Sequence, residues 1–209
     1  MGYAETTAIS PRACLDVQAA CKRFLADLQD PRWDFRTDMA ESIIEIIETL
    51  FCHQQGEDLS GRPMRGKPLI LEPFQLFIIY NLCGFFLPDT DIRRYQEAMW
   101  MLARKNGKTP FATAFCWAMG LWYSRSFSKI KTVAGSMKQN MEGFGFLSYN
   151  LHRLGLTVIE DAAHGLRVLD SSLGHSFSGS IWEGRRSPHG ERGLKSGSPL
   201  GLPHGYGSL

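Results

Sequence analysis

An apolar run, a glycine–lysine turn and a helical segment follow one another between residues 97 and 122. Residues 97–103 are nearly all apolar, which is typical of a strand that a sheet buries on both faces. Residues 111–122 predict a helix, and Pro110 suits its first turn because proline has no N–H to donate there. A strand that leads through a short turn into a helix favours an α/β fold with the turn at the helix N-terminus.

The turn contains Gly107-Lys108-Thr109, which predicts a phosphate-binding loop. Such a loop needs backbone N–H groups around the anion, a helix N-terminus, a lysine that reaches the terminal phosphates and a hydroxyl for Mg²⁺. Lys108 would contact the β- and γ-phosphates and Thr109 the metal ion. Leu102 departs from the full loop pattern, which has a glycine at that position. An ordinary strand–helix turn is the alternative interpretation.

Two more candidate strands follow, at residues 130–135 and 166–170, with a helix predicted between them over about residues 138–154. Strands separated by helices predict a parallel sheet with crossover connections. From residue 179 onward glycine, serine and proline dominate and the apolar residues show no period, so we expect a poorly ordered tail.

The first half of the chain predicts mainly helices. One is expected over residues 11–28, and another begins at Asp38, which forms with Glu41 a pattern like a capping box. A buried helix is expected within residues 74–87, a run too short for the roughly 20 residues of a membrane span. The glutamates of the second helix are interpreted as a solvated face rather than a metal or acid/base cluster: Glu41, Glu45 and Glu48.

Charge and cysteine usage limit the function classes. The chain of 209 residues has 23 basic and 21 acidic side chains, a net charge of +2 that gives no electrostatic argument for nucleic-acid binding. The five cysteines are scattered without a C-x-x-C pair, which favours reduced thiols in a cytosolic protein over disulfides or a zinc site. The N-terminal sequence has no basic segment followed by an apolar stretch, so no secretory signal is predicted.

Residues 103–109, with the sequence ARKNGKT, resemble the variant Walker A motif of the large terminase subunits of tailed bacteriophages. That variant often lacks the first glycine and carries an arginine where Arg104 stands. Residues 71–75, LEPFQ, are similar to the adenine-recognition segment of the same family. Residues 133–139 and 173–179 also look like stretches of that family, so the resemblance extends over about residues 69–179.

The resemblance implies a P-loop ATPase with a parallel sheet and flanking helices, whose ATP hydrolysis drives double-stranded DNA into a procapsid. The implied cofactors are ATP and Mg²⁺, the implied partners are DNA, a small terminase subunit and a portal protein, and the implied location is the bacterial cytoplasm. Gln75 would contact adenine, and Arg104 would act with Lys108 on the transferring phosphate. The implied nucleotide-binding residues are Gln75, Arg104, Lys105, Asn106, Gly107, Lys108 and Thr109, with Thr109 holding the Mg²⁺.

The same resemblance divides the chain into a helical region with a connector (1–66), a partial P-loop ATPase domain (67–178) and the tail (179–209). A Walker B strand ending in Asp-Glu is expected after residue 179, but the sequence has none there, and Glu160-Asp161 is reversed and comes too early. The nuclease aspartates of the family have no counterpart either. We therefore expect a parallel sheet that is incomplete on its C-terminal side, interrupted by truncation or a shifted reading frame, and a chain that binds ATP but hydrolyses it poorly.

Three alternatives stay open at this point. The tail could be a natural flexible segment. The chain could be a helical interaction module that binds other packaging proteins through its N-terminal helices, with a vestigial loop. It could also be an unrelated small P-loop nucleotide-binding protein, such as a nucleotide kinase.

Overall fold

The computed structural model describes residues 2–103, 105–123, 128–134, 136–156, 159–161, 165–167 and 176–181. Within these ranges the helices are α1 (Gly2–Ala8), α2 (Leu15–Asp27), α3 (Asp38–Leu50), α4 (Pro73–Gly84), α5 (Lys108–Trp122) and α6 (Met137–Arg153). The strands are β1 (Asp34–Phe35), β2 (Phe85–Phe86), β3 (Lys129–Ala134), β4 (Ile159–Asp161), β5 (Gly165–Arg167) and β6 (Ser176–Ile181). The predicted mixed α/β class is confirmed. No helix in the described ranges is long and apolar enough to cross a membrane.

The strands form three two-stranded pairs in the described residues. β3 and β6 pair in parallel, from Lys129 opposite Ser176 to Ala134 opposite Ile181, so the chain returns to β3 after α6 by a crossover. β4 and β5 pair antiparallel, and so do β1 and β2. The predicted strand at 130–135 is confirmed, and the strand at 166–170 is found in part as β5, with residues 168–170 outside the described ranges. The expected parallel P-loop sheet is thus represented by one parallel pair, and β6 was not predicted.

Residues 97–103, predicted as a central strand, belong to no strand or helix of the described structure. Met99 and Met101 are 82% and 83% exposed, whereas the Trp100 ring stacks on Phe111 with 5.0 Å between centroids. A strand needs hydrogen bonds from a neighbour, and none of the described segments forms a ladder with this one. The predicted central strand is therefore not found, because an apolar run does not by itself supply the neighbouring strand with which it would pair.

The first residues assigned to the tail belong to a strand instead. Residues 179–181 were assigned to the tail, but they complete β6, where Val133 and Ala134 of β3 are the partners of Ser180 and Ile181. Residues 182–209, on which the rest of the tail prediction depends, lie outside the described ranges, so that prediction stays a prediction.

The start of α3 and the end of α4 differ from the sequence patterns. α3 begins with Asp38 as its first helical residue and Thr37 as its N-cap, so the capping box predicted for Asp38 and Glu41 is wrong, although both acidic groups lie favourably in the first turn. Glu48 does not belong to a purely solvated face, because its Oε1 accepts a hydrogen bond from the Leu71 N–H at 2.9 Å. The predicted buried helix is α4, which ends at Gly84 rather than at Leu87.

The main core lies among α3, α4, α5 and α6, and its fully buried members include Ile43, Ile79, Trp117, Phe144 and Leu147. Burial of side chains of this size stabilises the fold by about 1.5–3 kcal/mol each before chain entropy is counted. A second cluster joins α2 to β1 and β2 through the rings of Phe24, Phe35 and Phe85, and α1 to α4 through the rings of Tyr3 and Phe77. The main core therefore positions α5 and α6, between which the candidate site lies.

Asn150 of α6 is fully buried and fixes the chain that follows α3. Its Oδ1 accepts a hydrogen bond from the Cys52 N–H at 2.7 Å, and its Nδ2 donates to the Cys52 carbonyl at 3.2 Å and to the Phe146 carbonyl at 2.9 Å. One side chain thus satisfies both backbone groups of Cys52, which have no helix or long strand to pair with.

Replacing Asn150 with alanine is expected to lower the free energy of unfolding by about 2–3 kcal/mol, because the buried N–H and carbonyl of Cys52 lose their partners. Urea denaturation measures the change. Asn81→Ala is the matched control, since Asn81 also donates to the carbonyl four residues before it but makes no contact of this kind across the fold. Equal losses for the two variants would contradict the role given to Asn150.

Candidate phosphate-binding site

In the turn before α5, the residues directly before and directly after Asn106 both have a left-handed backbone conformation. Lys105 has φ of 68° and Gly107 has φ of 63°. Alternation of this kind produces a concave nest in which successive backbone N–H groups converge, a geometry that binds anions. Glycine adopts it freely, but a lysine in this region costs about 1–2 kcal/mol. The backbone is therefore strained at Lys105, within the turn where the sequence predicts an anion site.

α5 begins directly after the nest, with Gly107 as its N-cap. The Gly107 carbonyl accepts the hydrogen bond of the Phe111 N–H at 3.0 Å, which is the first bond of the helix. The N–H groups of Lys108 and Thr109 precede that bond, and groups in this position have no partner within a helix. Together with the partial positive charge of the helix N-terminus they favour an anion at the turn.

The turn opens on a cavity of about 670 Å³, within the size range of small-molecule sites. Three parts of the chain line it: the turn, the residues that follow Cys52, and the first half of α6. The lining residues are His53, Gln54, Gln55, Ala103, Lys105, Gly107, Lys108, Thr109, Pro110, Met141, Glu142, Gly145 and Phe146.

Glycines let α6 lie close to the other two walls. A Cβ on Gly143 would lie 3.0 Å from Thr113 Oγ1 of α5 and 3.8 Å from Thr109 Cγ2. A Cβ on Gly145 would lie 3.5 Å from Nε2 of Gln54. α6 thus contacts α5 through Gly143 and the segment that follows Cys52, called the connector below, through Gly145. This close approach forms one side of the cavity.

The charges of the lining differ between its parts. Lys105 and Lys108 belong to the turn, whereas Glu142 of α6 is the one acidic residue among the lining residues that the structure describes. Burial, and then the positive charge of Lys67, lowers the pKa of His53 below its usual range. His53 is therefore neutral at pH 7, and the connector presents neutral polar groups while the turn presents cations.

Several predicted site residues are brought together here. Lys105, Gly107, Lys108 and Thr109 line the cavity, and Asn106 lies in the same turn. Arg104 lies outside the described residues, so its predicted role stays a prediction.

Gln75 lies elsewhere. It is buried at the start of α4, where its Oε1 accepts a hydrogen bond from the Glu72 N–H at 2.9 Å and completes a capping box with the Glu72 side chain. It does not line the cavity. Gln75 is thus a helix-capping residue in this structure, and its predicted contact with adenine stays a prediction.

The sequence did not predict two walls of the cavity, the one formed by residues 53–55 and the one formed by α6. His53, Gln54 and Gln55 carry no motif, and Glu142 lies in a predicted helix to which the sequence assigned no functional role. One signal was present: Gly143 and Gly145 are unusual within a helix and indicate close approach of another segment. In the described parts of the chain no group of three or more His, Cys, Asp or Glu side chains could hold a metal ion, so Thr109 would need the oxygens of a bound phosphate beside it.

The fold and this site define an α/β protein with a candidate phosphate-binding loop at the N-terminus of α5. No protein-family model matches the chain, and no curated protein matches it. A solved structure to which the chain is similar is that of the large terminase of bacteriophage HK97, with a TM-score of 0.49 and 22% identity over 75% of this chain and 29% of the terminase. The chain thus spans less than a third of that terminase, and a likeness of this degree determines neither family nor activity.

Replacing Gly107 with alanine is expected to cost about 1–2 kcal/mol of stability, because an L side chain is strained at a φ of 63°. It should also weaken binding of inorganic tripolyphosphate, since relief of the strain distorts the nest. Calorimetric titration and urea denaturation measure the two effects. Gly61→Ala is the matched control, with φ of 74° and equally open surroundings but no place in the cavity. It should lose similar stability and keep the anion affinity, and a parallel loss of affinity in both variants would contradict the nest.

Proposed function

We propose that this chain binds ATP at the loop before α5 and acts as the nucleotide-binding part of a terminase-like motor that packages double-stranded DNA. The observation that carries nucleotide binding is the left-handed pair Lys105 and Gly107, which opens with Lys108 and Thr109 on a cavity of about 670 Å³. The motor assignment is supported by the sequence ARKNGKT around this loop and by LEPFQ at residues 71–75.

The residues of the turn and of the start of α5 fit a nucleoside triphosphate. The nest and the first N–H groups of α5 would hold phosphate oxygens, and the Lys108 ammonium would neutralise charge on the terminal phosphates. The Thr109 hydroxyl would hold Mg²⁺, which when bound supplies charge neutralisation between the phosphates. Arg104 is proposed, from the resemblance, to stabilise charge on the transferring phosphate. DNA, a small terminase subunit and a portal protein are proposed as partners on the same basis.

A second candidate function is a helical interaction module, which one observation favours. Ile9, after α1, is 82% exposed, and Leu15, at the start of α2, is 80% exposed, so the N-terminal helices present apolar side chains to solvent. Binding of purified small terminase subunit to a variant that no longer binds ATP would support this second function. Loss of that binding on Ile9→Ser and Leu15→Ser would locate it.

Lys108→Ala is expected to weaken binding of a fluorescent ATP analogue by at least about 10-fold, because a charge-assisted contact to phosphate is worth about 1.5–3 kcal/mol. Fluorescence anisotropy measures the affinity. Lys22→Ala, which removes an exposed lysine of α2 outside the cavity, is the control and should bind like the unchanged protein. Unchanged binding in Lys108→Ala would reject the proposed site.

Hydrolysis is expected to be far slower than the roughly 1–100 s⁻¹ typical of enzymes that transfer the terminal phosphoryl group of ATP. The reason is that efficient hydrolysis needs one carboxylate to orient Mg²⁺ and another to polarise water, whereas Glu142 is the one acidic residue lining the described cavity. Phosphate release under saturating ATP measures the rate. If residual turnover occurs, Glu142→Gln tests whether that carboxylate supports it, and turnover at the rate of an active motor would contradict the expectation.

A further inference from the structure

A second cavity lies among the N-terminal elements, and it shares no lining residue with the cavity beside the loop. Its volume is about 350 Å³, at the lower end of the range of small-molecule sites. Aromatic rings from α1, α2, β1 and α4 dominate its walls: Tyr3, Phe24, Phe35, Phe77 and Tyr80. A ligand of this cavity would therefore be recognised mainly by aromatic surface.

The rings hold one another in place. The Phe77 ring centroid lies 5.4 Å from that of Phe24 and 5.5 Å from that of Tyr3. Phe24 also meets Phe35 edge to face, with 5.8 Å between centroids. Because these rings belong to four different elements and pack on one another, the walls of the cavity are pre-organised, and binding needs little further ordering.

Aromatic walls without charge attract cations. The face of an aromatic ring carries partial negative charge, and none of the described lining residues is a charged one. The Tyr3 and Tyr80 phenols are neutral at pH 7, since burial, the main cause in both, raises their pKa above its usual range. A cation in the cavity would thus meet rings and neutral hydroxyls.

Acidic residues lie next to the cavity lining. Asp38 follows Thr37, and Glu72 precedes Pro73. Glu41 lies one helical turn after Thr37, whose carbonyl accepts the Glu41 N–H at 2.8 Å, so their side chains are neighbours on one face of α3. The Glu41 charge also reaches Tyr80, where it adds to the effect of burial on the phenol pKa. Negative charge around an uncharged aromatic cavity favours a cationic occupant.

The arginines beside the lining residues in the sequence are engaged elsewhere. Arg36 forms ion pairs with Asp34 at 3.4 Å and Asp91 at 3.2 Å, and its guanidinium lies 3.9 Å from the Phe86 ring centroid. Arg23 lies over the Tyr95 ring, 5.9 Å from its centroid. Neither arginine lines the cavity, so neither neutralises the acidic residues around it.

The scarcity of acceptors in the lining indicates which kind of cation fits. Lysine brings three N–H donors and arginine five, whereas the side-chain acceptors are the hydroxyls of Tyr3, Thr37 and Tyr80. The Tyr3 hydroxyl already bonds the Thr7 side chain. Burying donors without partners is costly, but a quaternary ammonium group has no N–H and spreads its charge over methyl groups that contact rings favourably.

We propose that the aromatic cavity binds a small molecule that carries a trimethylammonium group. The rings of α1, α2, β1 and α4 surround the methyl groups, and the acidic residues at Asp38, Glu41 and Glu72 supply the complementary charge. This site goes beyond the nucleotide binding proposed above and does not depend on it.

The test titrates the full chain with choline and two analogues, followed by NMR. The neutral analogue 3,3-dimethyl-1-butanol has the shape of choline without its charge, and ethanolamine has the charge with three N–H donors. Choline should bind at least about 10-fold more tightly than either, since one analogue lacks the attraction of rings for a cation and the other loses hydrogen bonds to water. Equal binding of choline and the neutral analogue, or no binding of choline, would overturn the proposal.

Two variants locate the site. Phe77→Leu keeps an apolar side chain but removes a ring, so it should weaken choline binding by about 5-fold or more and change the affinity for the neutral analogue little. Glu41→Gln alters an exposed side chain and should fold normally. It should weaken choline binding by about 2- to 3-fold at low salt, and this effect should fade at high salt. Glu57→Gln, on an exposed glutamate outside the cavity, is the matched control and should have no effect.

The outcomes keep this site separate from the nucleotide site. Lys108→Ala should leave choline binding unchanged, because the two cavities share no lining residue. Loss of choline binding in Lys108→Ala would place the cation at the turn and overturn the assignment. Choline affinity that is unchanged in Glu41→Gln at low salt would overturn it as well, and this result stands even if Phe77→Leu does not fold.

Discussion

The pairing of Asn150 with both backbone groups of Cys52 is the contact on which the candidate site depends. The chain after α3 has no helix or long strand to satisfy its backbone, and a buried N–H without a partner costs about 1–3 kcal/mol. One amide removes that cost and also fixes the connector to α6. At the end of α6 the Arg153 guanidinium donates to the Leu50 carbonyl at 2.5 Å, which attaches the same helix to the C-terminus of α3. The cavity exists because these bonds place His53, Gln54 and Gln55 opposite the loop.

A second constraint acts on the segment that leads into the loop. The Arg94 guanidinium forms an ion pair with Asp27 of α2 at 2.6 Å, and it lies over the Trp33 ring at 4.3 Å from its centroid. Both charged side chains are largely buried, so removal of one partner would leave a costly unpaired charge. The neighbouring Arg93 donates to the Tyr123 hydroxyl at 2.9 Å at the end of α5. These contacts with α2 and with the end of α5 therefore fix Arg93 and Arg94, from which the chain continues through residues 97–103 into the turn.

Residues 97–103 show that an apolar run alone does not determine a strand. A nearly continuous apolar run is typical of a strand buried on both faces, but the run itself does not contain the hydrogen-bond partner that a strand needs. In the described structure Trp100 packs on Phe111 while Met99 and Met101 are exposed, so the segment contacts α5 through Trp100 without joining a sheet. By contrast, β3 was predicted correctly, and its partner β6 was missed because its sequence of serine and glycine has little strand preference.

The sequence by itself determined the local features of this protein: the helix that starts at the glycine–lysine turn, the position of Lys108 and Thr109 at its first residues, and the period of α3 and α6. These follow from interactions over a few residues, namely capping, proline and glycine geometry and the apolar stripe. Only the tertiary structure decided which residues complete the cavity. Gln54 and Glu142 are about 90 positions apart in the chain and line one cavity because the buried amide of Asn150 and two helical glycines hold α6 beside the segment that follows Cys52. The capping box of Gln75 with Glu72 is again local, since it spans three residues, whereas the tertiary structure decided that Gln75 is not among the residues that line the cavity.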